Sequence, residues 1–343
     1  MDHEVSEEHH QRRQRRQRIR ILLQRCDYFV TLNNNAFRAR FRLTKPQFLR
    51  VLRQIEPKLR NRQRSDSISL SVKLQAALRF YATGSFLMVI ADFNGISKIS
   101  AHRIVHEVSE VISELLPRYI KLPAINHEII NTSKNNFMIS GMVRVIGAID
   151  CVHVRIRSYG GDDAEIFRNR KGFFSINVQC VVNSNLEILD IVAQWPGSTH
   201  DSTIFESSCL KSRFDNYEFG NGVLLGDRGY RNHRYLMTPL AEPRTAAEQL
   251  YNESHIRTRC MVERCFGVWG RMFPVLTIGS RFKTPQRTVN VILATAVLYN
   301  ITRRDKKVEK AGLRTYMRVD ENVLFASPTE DERQYLIDNY FAK

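Results

Sequence analysis

Negative charge is scarce in this 343-residue chain: 35 Asp and Glu stand against 52 Lys and Arg, a formal net charge of +17. That imbalance points to a polyanionic partner. The excess is uneven, because residues 1–64 hold 17 Lys and Arg against 6 Asp and Glu. Long apolar runs are missing too. The most apolar C-terminal stretch, "TVNVILATAVLYNI", is short and interrupted by Asn290, Thr295 and Asn300, which argues against a membrane span. The opening "MDHEVSEEHHQRRQRRQRIR" lacks the apolar core of a secretory signal. Six cysteines include no C-x-x-C pair, and the spacing of His255, Cys260 and Cys265 fits no common zinc site. The expectation is an intracellular protein with reduced thiols and no membrane partner. What is present is ample apolar material, 43% of residues, enough for two domains or one large one.

Residues 1–25 read as a basic arm around "RRQRRQRIR", usable for nuclear import or for gripping phosphate. Residues 26–120 read as a helical domain. Thr44 caps "KPQFLRVLRQIEPKL", and Gly84 and Gly95 close the next two helices. A third helix begins near Lys98 with Ala101, Ile104, Val105, Val108, Val111, Ile112 and Leu115 as its apolar stripe. Helix, glycine turn and amphipathic helix suggest a helix-turn-helix-like arrangement, with Lys98, Ser100, His102 and Arg103 offered to a DNA groove. Glu107, Glu110 and Glu114 on the same helix oppose deep burial in DNA. Residues 121–143 read as a loop-rich linker.

From 144 to 305 the texture is that of an α/β core. Strands are expected at 144–157, 175–184 and 186–195, the last two joined by a short turn. A helix over "STHDSTIFESSCL", a strand at "GVLLGD", a long helix over 246–273 and an apolar helix over 288–303 follow. Together they make a mixed sheet flanked by helices, with 306–343 left as a C-terminal tail.

Four acidic residues interrupt this pattern. Asp150 sits in the middle of "RVIGAIDCVHVRI", on the face it shares with Ile146, Ala148, Val152, Val154 and Ile156. A carboxylate facing a core needs a cation, a buried Arg or a helix terminus. Asp201 fits a capping box with Ser198 as N-cap. Asp227 in "LLGDRGY" ends a strand where Asp often makes a turn. Glu263 follows Arg259 by four residues, an ordinary helical ion pair. Yet the first and fourth strands can lie side by side, and Gly267 and Gly270 leave room near Glu263 for close approach. Carboxylates converging this way suit hard cations such as magnesium, which activate water for phosphodiester cleavage. Basic residues accompany them: His153, Arg155 and Arg157 alternate away from Asp150, and "FRNRKGF" puts Arg168, Arg170 and Lys171 in a turn beside the sheet. Such residues bind phosphate without reading sequence.

Six motifs in order, "GAIDCVHVRI", "NRKGFFSINVQCV", "WPGSTHDS", "LLGDRGY", "MVERCFG" and "VLYNI", resemble the PIF/Harbinger family of DDE transposases and the nucleases derived from them. The likeness covers about residues 70–303. It implies a ribonuclease-H-like core, preceded by the helical region, whose DDE triad is Asp150, Asp227 and Glu263. The triad would bind divalent magnesium or manganese, with Asp201 as a further ligand. Arg228 stands where relatives often carry a small residue and Tyr299 where many carry His; neither change removes a ligand. The resemblance also implies DNA as substrate, cleavage with or without strand transfer, and a nuclear location. A Myb/SANT-like DNA-binding partner is implied as well, and a homo-oligomer is left open. The rival expectation is a domesticated, non-catalytic DNA-binding adaptor.

Overall fold

The computed structural model describes residues 27–60, 68–310 and 331–342; the basic arm at 1–25 and most of 306–343 lie outside them. The helical region opens with α1 (Asn34–Phe41), α2 (Lys45–Arg60), α3 (Leu70–Thr83), α4 (Leu87–Asn94) and α5 (Lys98–Ser113). Thr44 and Gln47 exchange backbone and side-chain hydrogen bonds at the start of α2. Gly84 and Gly95 end α3 and α4 in the left-handed conformation, at φ of 60° each, where a side chain would be strained. The stripe of α5 is buried as its spacing predicts, and it packs against α3 and, above all, against α10 (Pro285–Lys310) at the far end of the chain.

The segment 121–143 differs from its expected loop. It carries α6 (Asn126–Ser140), which escapes notice because its buried residues include Ser133 and Asn136 rather than an apolar stripe. Asn136 stitches this helix down: its Nδ2 donates to the Val145 carbonyl at 2.8 Å and its Oδ1 accepts from the Ser184 N–H at 2.8 Å.

Five strands form one mixed sheet, β1 (Val145–Arg155), β2 (Ser175–Val182), β3 (Ile188–Pro196), β4 (Val223–Leu225) and β5 (Leu236–Met237), in the order β3-β2-β1-β4-β5. The first three pair antiparallel, whereas β4 lies parallel to β1 and β5 parallel to β4. The two-residue β5 is too short to leave a sequence signal. One face of the sheet packs on α9 (Ala246–Met272) and α10. The other packs on α7 (Asp201–Glu206) and α8 (Cys209–Asp215), around Phe205, Leu210 and Phe214. The single helix expected over 198–210 is therefore two. A register shift between Val145 and Gly147 sends Ile146 into this second cluster, away from the face of Ala148 and Val154.

One core cluster runs from Phe37 and Phe48 in the helical region, through Val105 and Val108 of α5, to Val154, Trp269 and Val297. The chain's end joins it as well. Helix α11 (Glu332–Leu336) buries Leu336, while Glu332 pairs with Arg144 where both side chains are almost fully buried. No described helix is long and apolar enough to cross a membrane.

Candidate active site

The acidic groove is built on two adjacent parallel strands. Ala148 of β1 pairs with Leu225 of β4, which brings Asp150 beside the chain leading to Asp227. Asp150 is half-buried on the face turned to α9. Its Oδ1 accepts from the Cys151 N–H at 2.7 Å and its Oδ2 from Arg259 Nη1 at 3.0 Å. The partner demanded by the sequence is thus an arginine. The same guanidinium continues to Glu263, with Nη2 donating to Oε1 at 2.6 Å. Arg259 therefore stands between two carboxylates that come from positions 150 and 263.

Burial pushes the Asp150 carboxyl up to about 6; the Cys151 N–H and Arg259 oppose that rise, and the charges of Asp227 and Asp201 add to it. Three carboxylates are thus near enough to sense one another. Asp227 Oδ1 accepts from the Gly229 N–H at 2.8 Å, closing the turn after β4. Arg228 points away and binds the carbonyls of Leu240 and Ala241 at 3.1 and 3.2 Å, so its bulk is spent on the following loop. Glu263 is the most open of the set, with 54% of its side chain exposed.

Asp201 departs from its expected role. The N-cap of α7 is His200, which makes no side-chain capping bond, and the Ser198 N–H is used by the Ile166 carbonyl at 3.1 Å. Asp201 is held instead by buried Asn177, whose Nδ2 donates to Oδ1 at 2.9 Å. Asn177 and the cation-bridging reach of Arg259 are the site residues that sequence reading missed. Arg259 had a local signal, its four-residue spacing to Glu263, but its bond to Asp150 spans 109 positions. Among the described residues no three His, Cys, Asp or Glu side chains stand close enough together to hold a metal ion.

The basic residues separate into classes. Arg168 is tied to Glu165 at 2.7 and 3.0 Å, to the Gly172 carbonyl at 3.0 Å, and to the Phe174 ring. It shapes the turn. Arg170 and Lys171 are exposed, and both lie near enough to His153 to help burial lower its pKa. His153 is half-buried beside Ser175 Oγ at 3.0 Å, so it is no surface cation. Arg155 lies over the Phe173 ring at 4.1 Å, and Arg157 is exposed. Around the start of α5, Lys98 and Arg103 are exposed, whereas Ser100 is engaged by the Ser97 cap and His102 by His106 and Arg287. Glu107 and Glu114, expected to oppose DNA, are neutralised by Lys73 and Lys58. Of the glycines of α9, Gly267 faces open space, and Gly270 lies against Thr277.

An aspartate within β1, a second just past the end of the neighbouring β4 and a glutamate on α9 make up the candidate set. Residues 149–300 match the DDE superfamily endonuclease family. The chain belongs to the PIF/Harbinger branch, the harbinger transposases and the nucleases derived from them. The Rattus norvegicus protein named "Putative nuclease HARBI1" is 35% identical over 242 residues, 70% of this chain and 69% of its own. Its Xenopus laevis namesake is 28% identical over 287 residues, 81% and 82% of the two chains. The Arabidopsis thaliana protein named Antagonist of like heterochromatin protein 1 is 22% identical over 292 residues, 78% and 72% of the two chains. No solved structure matches the chain.

Proposed function

We propose that this chain is a metal-dependent DNA endonuclease of the DDE type, on a ribonuclease-H-like core, with Asp150, Asp227 and Glu263 as its triad. The observation that supports the reading is the pairing of β1 with β4, which brings Asp150 beside the chain leading to Asp227, together with the Arg259 bridge from Asp150 to Glu263. The donor chemistry suits a hard divalent cation, and the carboxylates would have to close up where Arg259 now stands to hold one. The donor set is all carboxylate oxygen, half-buried at Asp150, and it already draws a positive group into its midst. Asp150, Asp227 and Glu263 would hold magnesium or manganese, with Asp201 beside them. Bound there, such ions supply an activated water, or a free 3′-hydroxyl in strand transfer, and stabilise the leaving oxygen.

The remaining residues act on the DNA. Arg170 and Lys171 grip backbone phosphates on one side, with Arg155 nearer the carboxylates. Arg168 acts through the turn it holds. Lys98 and Arg103 of the helix-turn-helix-like region give a second grip. Asn177 fixes Asp201. The reading extends to the nucleus as compartment and to a Myb/SANT-like protein as DNA-reading partner; the net charge of +17 supports the polyanion, and family membership supports the partner.

A second reading, a non-catalytic adaptor on chromatin, draws support from one relative's name, which describes antagonism of a heterochromatin protein. Nicking of supercoiled plasmid by the purified chain in magnesium, manganese or EDTA separates the two. Metal-dependent nicking that disappears in Asp150→Asn, with DNA still retained, is the expected result. Equal nicking by the variant removes Asp150 from the mechanism. Silence of the wild type, with and without a Myb-like partner, favours the adaptor.

A further inference from the structure

Beyond the carboxylates the groove does not close. On β1, Val152 and Val154 continue the face of Asp150, about 7 and 13 Å further along the strand. On α9, Phe266 and Gly270 lie about 4.5 and 10.5 Å of helical rise beyond Glu263. Between these two surfaces is a cavity of about 260 Å³, lined by Val152, Val154, Phe173, Phe266 and Trp269, with Arg155 at its edge. It is an aromatic and aliphatic slot whose walls begin two residues beyond Asp150 on β1 and three beyond Glu263 on α9.

Two features identify what it would take. Arg155 is exposed and stacked 4.1 Å over Phe173, and Arg170 and Lys171 lie close by, so the mouth carries positive charge. The volume lies just under the range of about 300–1,000 Å³ for pockets that hold drug-sized ligands, yet far exceeds the roughly 30 Å³ share of a water. A flat ring attached to a polyanion meets both conditions, with Phe173 and Phe266 half-buried at the walls and Trp269 almost fully buried behind them. A stacked strand carries one phosphate per about 3.4 Å, so the slot lies a few nucleotides at most from a phosphate held at the carboxylates.

We propose that this cavity takes one unstacked nucleobase of the DNA strand next to the phosphodiester held at Asp150, Asp227 and Glu263. The proposal rests on the nuclease reading and deepens it: the substrate is a strand splayed at the cut, not an undisturbed duplex. Aromatic side chains receive splayed bases without regard to sequence, because every base has a π-face.

The chain contains two tryptophans, Trp195 and Trp269, which gives a direct probe. Full-length protein carrying Trp195→Phe leaves Trp269 as sole emitter. It is titrated in EDTA with an end-labelled forked oligonucleotide, following label anisotropy for retention and Trp269 emission for filling of the cavity it borders. The forked DNA is expected to quench the emission. The same fork with abasic sites along its single-stranded arm is expected to bind about tenfold more weakly, the loss of one base–aromatic stack, and to leave emission unchanged at saturation. Thr277→Phe, an exposed position on the cavity wall, is expected to retain DNA and lose the quenching. Retention without quenching, or equal quenching by the abasic fork, overturns the base slot and leaves the cavity as a socket for a protein side chain. Failure to retain any DNA overturns the nuclease reading, and the slot with it.

Discussion

Arg259 donates to Asp150 across 3.0 Å from one nitrogen and to Glu263 across 2.6 Å from another. A single guanidinium thereby bridges two of the carboxylates of the candidate site. On the nuclease reading a cation would have to compete with Arg259 for these oxygens. Arg259→Ala should lower the melting temperature in EDTA by a few degrees, because it leaves half-buried Asp150 without its cation, a loss of about 1–3 kcal/mol. Manganese should then raise the melting temperature of the variant more than that of the wild type. Equal shifts in the two proteins would show that Arg259 does not stand where the metal binds.

Salt dependence should distinguish the basic residues that geometry separates. Replacing both Arg170 and Lys171 by Ala should weaken DNA binding at every sequence and lower the salt slope by about 0.9 for each phosphate no longer neutralised. Arg168→Ala should leave the slope nearly unchanged, because its guanidinium is committed to Glu165 and Gly172. Binding measured at several salt concentrations checks both; equal slopes in the double variant and the wild type would exclude that loop from the interface.

Asp190 on β3 offers a stability test at a carboxyl outside the candidate set, two strands from Asp150. Its carboxyl is buried, Oδ2 has no partner, and burial pushes its pKa up to about 6 against the opposing charge of Arg213. A carboxyl that holds its proton more tightly when folded costs stability as pH rises from about 4 through 6. Asp190→Asn should therefore gain about 1–3 kcal/mol at pH 8 and nothing at pH 4. Urea unfolding at both values decides it, and a gain that is the same at both pH values refutes the assignment.

The buried pair Arg144–Glu332 ties the end of the chain to the start of β1. Glu332→Ala removes the carboxylate from this buried pair and should cost about 3–5 kcal/mol. Replacing both residues with apolar ones of similar size should cost much less. Denaturant midpoints for the single and double variants make the comparison, and equal losses would mean that packing, not charge, holds this segment.

Much of this site was legible because its elements are locally determined. Strand β1 shows its alternation from Ala148 onward, and Gly84 and Gly95 mark helix ends by a backbone requirement that sequence reveals. The placement of Asp150 beside the chain leading to Asp227 followed from asking which strands could be neighbours. What stayed hidden depends on distant partners. Ser198 has the right spacing to cap a helix, yet its N–H is claimed by Ile166, and no local pattern announces that. Helix α6 is fixed by the two bonds of Asn136, to Val145 and Ser184, so it needs no apolar stripe and shows none. Glu332 reads as one charge among many until Arg144 is found opposite.

Helix α5 buries its apolar stripe against α10, the helix with which the sheet also packs. Neither part can be exchanged for a foreign module without refitting both surfaces, so a lineage inherits the helical region and the acidic groove as one unit. Damage to Val105 or Ile112, which touch neither phosphate nor carboxylate, would then be recorded genetically as loss of the reaction itself.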